Sequence, residues 1–191
     1  MHRRLRCLLL ATALLLGGVV ASAQEEVRRF AIKDIWFQKK GDGYAVNADL
    51  QVGAPQLLDQ MLRGGYPVEL HFTLYFYQRQ SWLPDPVVGD ISWRGVLAYD
   101  ALKSYISLTV GGREQRFASL AEAIAEVNDL RASASNDAEY IKLLERDDIY
   151  LRARFNLHTE NLPLPLQIGG LVDNEWQVDS GWENFFLEVR E

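Results

Sequence analysis

From Ile149 to Leu157 the chain alternates without a break. Ile149, Leu151, Ala153, Phe155 and Leu157 are apolar, and Tyr150, Arg152, Arg154 and Asn156 stand between them. A period of two sustained over this length fits a strand with one buried and one wet face. A helix puts neighbours at three and four residues on one side and would scatter this pattern around its circumference. The same alternation fills the stretch from Val68 to Tyr77. Val68, Leu70, Phe72, Leu74 and Phe76 share one phase; Glu69, His71, Thr73, Tyr75 and Tyr77 share the other. Strands wet on one side argue against a parallel sheet covered on both faces.

Shorter stretches add to this frame. Phe30 and Ile32 share a phase, Ile35 and Phe37 the opposite one, so a bulge is expected at Lys33-Asp34. Gly41-Asp42-Gly43 reads as a turn, and Tyr44, Val46, Ala48, Leu50 and Val52 carry the returning strand of a hairpin. Pro55 opens a short helix with Leu57, Leu58, Met61 and Leu62 on one face, and Gly64-Gly65 closes it. Further strands are expected at Val88–Ala98, with Ile91, Trp93 and Leu97 in phase, and at Tyr105–Val110. The period then changes to 3.6. Ser119 and Glu122 form a capping box, and Leu120, Ala123, Ile124, Val127 and Leu130 form one helical stripe. Asn136 can cap another helix, with Tyr140, Leu143 and Leu144 inward.

After Leu157 come Leu162-Pro163-Leu164-Pro165-Leu166-Gln167, then Trp176, then Ser180-Gly181-Trp182. Pro163 and Pro165 cannot donate to a ladder, so they end the strand or lie at an edge. Flanking leucines favour a buried connection over a docking motif for an aromatic groove. Trp176 and Trp182 read as plugs at one end of the core, with a ligand-stacking platform as the functional alternative. Phe185, Leu187 and Val189 make a closing strand. Six or seven antiparallel strands with two or three short helices predict a mainly β chain, an antiparallel β-sandwich. The alternative is a single curved sheet with helices on its concave face.

The first residues read as a targeting segment. Arg3, Arg4 and Arg6 precede an apolar run from Leu8 to Val20, and Ala21-Ser22-Ala23 is a small-x-small cleavage site. Residues 1–23 are thus expected to be a signal peptide and residues 24–191 a single β-rich domain, periplasmic or secreted. The alternative is that the segment is kept as an anchor. The apolar run is short for a span of about 20 residues, and no later run reaches that length. Cys7 is the one cysteine in the chain. A processed protein would have no disulfide and no thiolate chemistry, and its core must hold it together. The formal charge of −6 becomes more negative once three arginines are removed. Such a chain is poorly suited to non-specific binding of nucleic acid or anionic lipid.

Familiar catalytic patterns are missing. Beyond the first 23 residues the histidines are His71 and His158, with neither zinc-type spacing nor a Gly-x-Ser-x-Gly turn nearby. No glycine pattern matches a phosphate loop. Glu145, Asp147 and Asp148 lack the alternating ligands of a calcium loop. No catalytic residue, metal ligand or cofactor is expected. The wet faces are more informative. His71, Thr73, Tyr75 and Tyr77 make an aromatic row with Trp82 beyond it, and Arg152 and Arg154 make a cationic pair. Were these strands neighbours, Tyr75, Tyr77, Trp82, Arg152 and Arg154 would form an aromatic–arginine surface of the kind enriched at protein interfaces. Alternatively, the helices cover this face and the tyrosines belong to a second small core.

In order and spacing, four pieces resemble an uncharacterised family of exported proteobacterial proteins, catalogued only as a domain of unknown function. They are Leu97-Ala98-Tyr99-Asp100-Ala101-Leu102 with Tyr105; Phe117-Ala118-Ser119-Leu120-Ala121-Glu122-Ala123; the Leu162–Gln167 run; and Trp176 with Ser180-Gly181-Trp182. The resemblance spans roughly Arg28 to Val189. On that resemblance Pro163, Pro165, Gln167, Trp176, Ser180 and Trp182 are signature positions of structural character. It implies an envelope setting, no established activity, and a membrane sensor kinase of the nitrogen-regulation type as a candidate partner. The expected function is a non-enzymatic exported module that binds an envelope protein. The alternatives are a small-ligand or glycan binder using a cleft lined by Trp82, Trp93, Trp176 or Trp182, and, more weakly, a hydrolase without a recognisable motif.

Overall fold

The bulge expected at Lys33-Asp34 sets the geometry of the first hairpin. In the computed structural model, which describes residues 29–41, 43–131, 142–158 and 178–190, β1 (Ala31–Lys40) pairs antiparallel with β2 (Gly43–Gln51), and the register shifts between Ile32 and Asp34. The extra residue lets Ile32, Ile35 and Phe37 all turn inward despite their opposite phases, and all three are buried. The chain then enters α1 (Pro55–Arg63) from Ala54 in a left-handed conformation, with Pro55 pre-set at the first turn. Leu57, Leu58, Met61 and Leu62 are buried on its inner face, as the spacing predicts.

The strongest alternation forms β3 (Val68–Gln78), the centre of a second sheet. It pairs on one side with β4 (Val87–Asp100) and on the other with β8 (Ile149–His158). Beyond β4 lie β5 (Tyr105–Val110) and β6 (Arg113–Phe117); beyond β8 lies β9 (Glu183–Phe185). The small sheet runs β10 (Val189–Arg190), β1, β2, β7 (Asp129–Arg131). The two sheets face each other across one hydrophobic core. Phe30 meets Phe155 with ring centroids 5.1 Å apart, and Phe37 meets Phe76 at 5.8 Å. Burying each such side chain contributes about 1.5–3 kcal/mol. The architecture is a β-sandwich, mainly β, and two sheets replace the single curved one.

Several expectations change. Ten strands form among the described residues, against the six or seven expected. The missed β6 has no alternation, because Arg113 to Arg116 are all polar and exposed along the sheet edge and only Phe117 turns toward the core. Gly111 and Gly112, at φ +56° and +80°, supply the tight turn that joins it to β5. The helical stripe stops early: α2 (Leu120–Asn128) ends at Asn128, and Leu130 is buried on β7 instead. The closing strand splits into β9 and β10, and β10 runs parallel to β1. β4 extends over Val87–Asp100, longer at both ends than expected. The segment around Asn136 and Tyr140 lies outside the described residues, though residues 142–144 are helical. Residues 1–28 and the Pro163–Pro165 connection lie outside them as well.

Candidate functional site

Strand register decides which wet residues meet. Tyr77 lies opposite Tyr150, Tyr75 opposite Arg152, Thr73 opposite Arg154 and His71 opposite Asn156. On the far side of β8, Arg152 lies opposite Asn184 of β9. Tyr75, Tyr77, Arg152 and Arg154 therefore share one outer face. Neither α1 nor α2 covers it. α1 carries its apolar stripe to the core side, and α2 spans both sheets at another border of the core.

Residues Val178–Trp182 partly cover this face instead. The Leu157 N–H donates to the Val178 carbonyl at 2.9 Å, and the Ser180 N–H donates to the Phe155 carbonyl at 2.9 Å. The Phe155 N–H donates in return to Ser180 Oγ at 3.0 Å. Arg154 grips Asp179 through both Nε and Nη2, with Nε at 2.9 Å from Oδ1. Burial pushes the Asp179 carboxyl up, but the Arg154 bonds and the Gly181 N–H outweigh it, and the group lies below the usual carboxylate range. The brace sets Trp182 over the strands. Its indole stacks on Tyr75, while Arg152 and Arg154 lie over it at 5.8 and 5.9 Å. Trp182 was expected to plug the core; it lies outside the sheet with 38% of its surface exposed.

Tyr77 stacks on Tyr150 at 5.4 Å, and Tyr75 meets Tyr77 edge-on. Tyr150 donates its hydroxyl to Asp85 at 3.0 Å. Burial first, then that bond and charge, raise its pKa. At the opposite end of the face His71 and His158 stack at 4.6 Å. His71 Nε2 lies 2.6 Å from Glu69 Oε1, and Arg94 bonds the same carboxylate. Burial raises the Glu69 carboxyl, yet His71 and Arg94 bring it below its ordinary value. No pattern in the sequence signals this pairing, which follows from Glu69 standing opposite His158.

Trp82 stands apart from the stack. It projects from the β3–β4 loop with 96% of its surface exposed. Pro163, Pro165, Gln167 and Trp176 lie outside the described residues. Tyr150, Asp85, Asp179 and Phe186 belong to this region and were not singled out. Tyr150 was legible as one more wet position of β8; adjacent Phe185 and Phe186 signal that one of them must face outward. Trp93 lines a separate recess of about 590 Å³ with Ile91, Arg94, Val110 and Arg131. Of the four tryptophans named for a cleft, Trp93 lines this recess and Trp82 and Trp182 do not. Among the described residues no group of three His, Cys, Asp or Glu could hold a metal ion. Asp148 bonds Arg146 and Gln78, which suits a turn residue. No helix among the described residues is long and apolar enough to cross a membrane.

The profile of one family, Domain of unknown function (DUF4390), matches residues 27–185. The chain belongs to the DUF4390 family. No curated protein and no solved structure matches it. For a DUF4390 domain the match runs from the start of the small sheet to the end of β9, so the outer face with Trp182 lies wholly within the family region.

Proposed function

We propose that this DUF4390 protein is a non-enzymatic exported module that binds another protein, the outer part of a membrane receptor being the first candidate. The observation that carries this reading is the stack of Tyr75, Tyr77, Tyr150 and Trp182 with two guanidiniums over the indole. Tyrosine, tryptophan and arginine dominate binding energy at protein interfaces, because they bury large areas while keeping a polar handle. Export rests on the basic start, the apolar run and the small-residue cleavage site. A membrane sensor kinase rests on family resemblance.

In-cell crosslinking of the tagged protein, followed by mass spectrometry, tests the reading. One reproducible envelope partner, lost with Tyr75→Ala and Arg154→Gln, is the expected result. Recovery of the protein alone would overturn it. A second reading, a small-ligand binder, is favoured by the Trp93 recess, whose Arg94 and Arg131 could meet an anionic group. A thermal-shift screen of envelope metabolites and glycans tests that. Three surface recesses pair no two carboxylates among their lining residues, so a two-acid hydrolase draws no support from them.

A further inference from the structure

The β3–β4 loop is rigidly built, yet it holds two large apolar residues out in water. The Gln78 N–H donates to the Pro86 carbonyl at 3.1 Å, and the Arg79 N–H to the Asp148 carbonyl at 2.8 Å. Asp85 accepts from the Gln80 N–H at 2.8 Å and from the Tyr150 hydroxyl at 3.0 Å. Despite this bracing, Trp82 is 96% and Leu83 69% exposed. The same loop contributes Arg79, Gln80 and Asp85 to a recess of about 540 Å³ that Tyr150, Phe185 and the 84% exposed Phe186 also line. A loop fixed by hydrogen bonds cannot fold these side chains back, so their apolar area stays uncovered until something else covers it.

Charge indicates what that is. Arg79 lies over the Tyr150 ring at 5.8 Å and Arg152 over the Trp182 ring at 5.8 Å. Neither forms an ion pair with a carboxylate among the described residues, in a chain whose acidic residues outnumber its basic ones. The neighbouring acids are already engaged: Asp85 by Gln80 and Tyr150, Asp148 by Arg146, Asp179 by Arg154. A guanidinium stacked on a ring keeps its in-plane donors free and aimed outward, the geometry that takes a carboxylate with two parallel bonds.

We infer that this recess receives an acidic segment of a protein partner. A large aromatic or aliphatic side chain enters the recess beside Phe186, Trp82 and Leu83 on the same loop add exposed apolar surface for it to cover, and flanking Asp or Glu carboxylates pair with Arg79 and Arg152. The inference rests on the protein-binding reading and adds the partner's chemistry.

The test pans a random dodecapeptide display library on the intact exported protein. Enriched sequences should place an aromatic or large aliphatic residue among acids. They should lose binding by about tenfold or more with Arg79→Gln/Arg152→Gln, and separately with Trp82→Ser, a side chain whose removal leaves the loop's hydrogen bonds intact. Enrichment of basic or uncharged sequences, or enrichment equal on the substituted protein, overturns the inference. So does Trp82-dependent sedimentation with phosphatidylcholine–phosphatidylglycerol vesicles without peptide enrichment, which would make this surface a lipid contact. Normal capture of a crosslinked partner by the Arg79→Gln/Arg152→Gln protein would sink this inference alone and leave the protein-binding reading standing.

Discussion

The Tyr75 ring and the Trp182 indole stack with centroids 5.2 Å apart and planes 23° from parallel. They come from opposite ends of the sheet's sequence order, and Arg154 with Asp179 holds the second over the first. The stack therefore depends on an ion pair that it does not contain.

Acid should release it. The Asp179 carboxyl lies below its ordinary value in the fold, so its contribution is fully present above the unfolded carboxylate range, about 3.9. It is lost as pH falls through the lower folded value. Tryptophan emission of the wild type minus that of Trp182→Phe should change over that acid window while the backbone circular dichroism persists. Asp179→Asn should show the released signal already at neutral pH; an unaltered neutral spectrum in that variant would count against the brace.

Gly95→Ala should disturb Trp93. A Cβ at this position would lie 2.3 Å from the far edge of the Trp93 ring. The indole must swing into its adjoining recess, and overpacking of this kind costs about 1–3 kcal/mol. Urea unfolding should give the loss, and the emission maximum should move to the red.

Ser119→Ala should cost about 0.5–2 kcal/mol. Ser119 Oγ accepts from the Glu122 N–H at 3.2 Å, and the Glu122 carboxylate accepts from the Ala118 N–H at 3.0 Å. Ser119→Asp, which keeps an acceptor, should restore most of the loss in the same urea titration.

Trp36→Leu should loosen both borders of the small sheet together. Arg190 lies over its ring at 4.5 Å and Arg131 at 5.4 Å, one from β10 and one from β7. Each contact is worth about 0.5–1 kcal/mol at an exposed site. Amide exchange should quicken in both β7 and β10; a change confined to one would show that the ring bridges nothing.

Much of this was legible in the residues. β3 and β8 could be read from alternation alone, because each buries one face completely and wets the other. The bulge was visible as a phase slip. What escaped detection lacked that contrast. β6 is polar and exposed until Phe117, and β7 and β10 are too short to show a period. The outer face was legible by composition, but only register could reveal that Tyr75 and Arg152 are partners. The displaced Trp182 escaped notice because a large aromatic residue suits a core and a covered surface equally well. Its place is set by Asp179 and Ser180, not by its own hydrophobicity.

The parallel pairing of β10 with β1 joins the first described strand to the last. Closing so long a loop is slow and is rewarded only when the rest of the fold is in place. Nascent chain still lacking Val189 and Arg190 cannot complete the small sheet or bring Arg190 to Asp34 and Trp36. Final locking of the small sheet must therefore wait until synthesis has passed Arg190. Until then the outer edge of β1 opposite Phe37 and Gln38 stays open to any other strand that can pair with it.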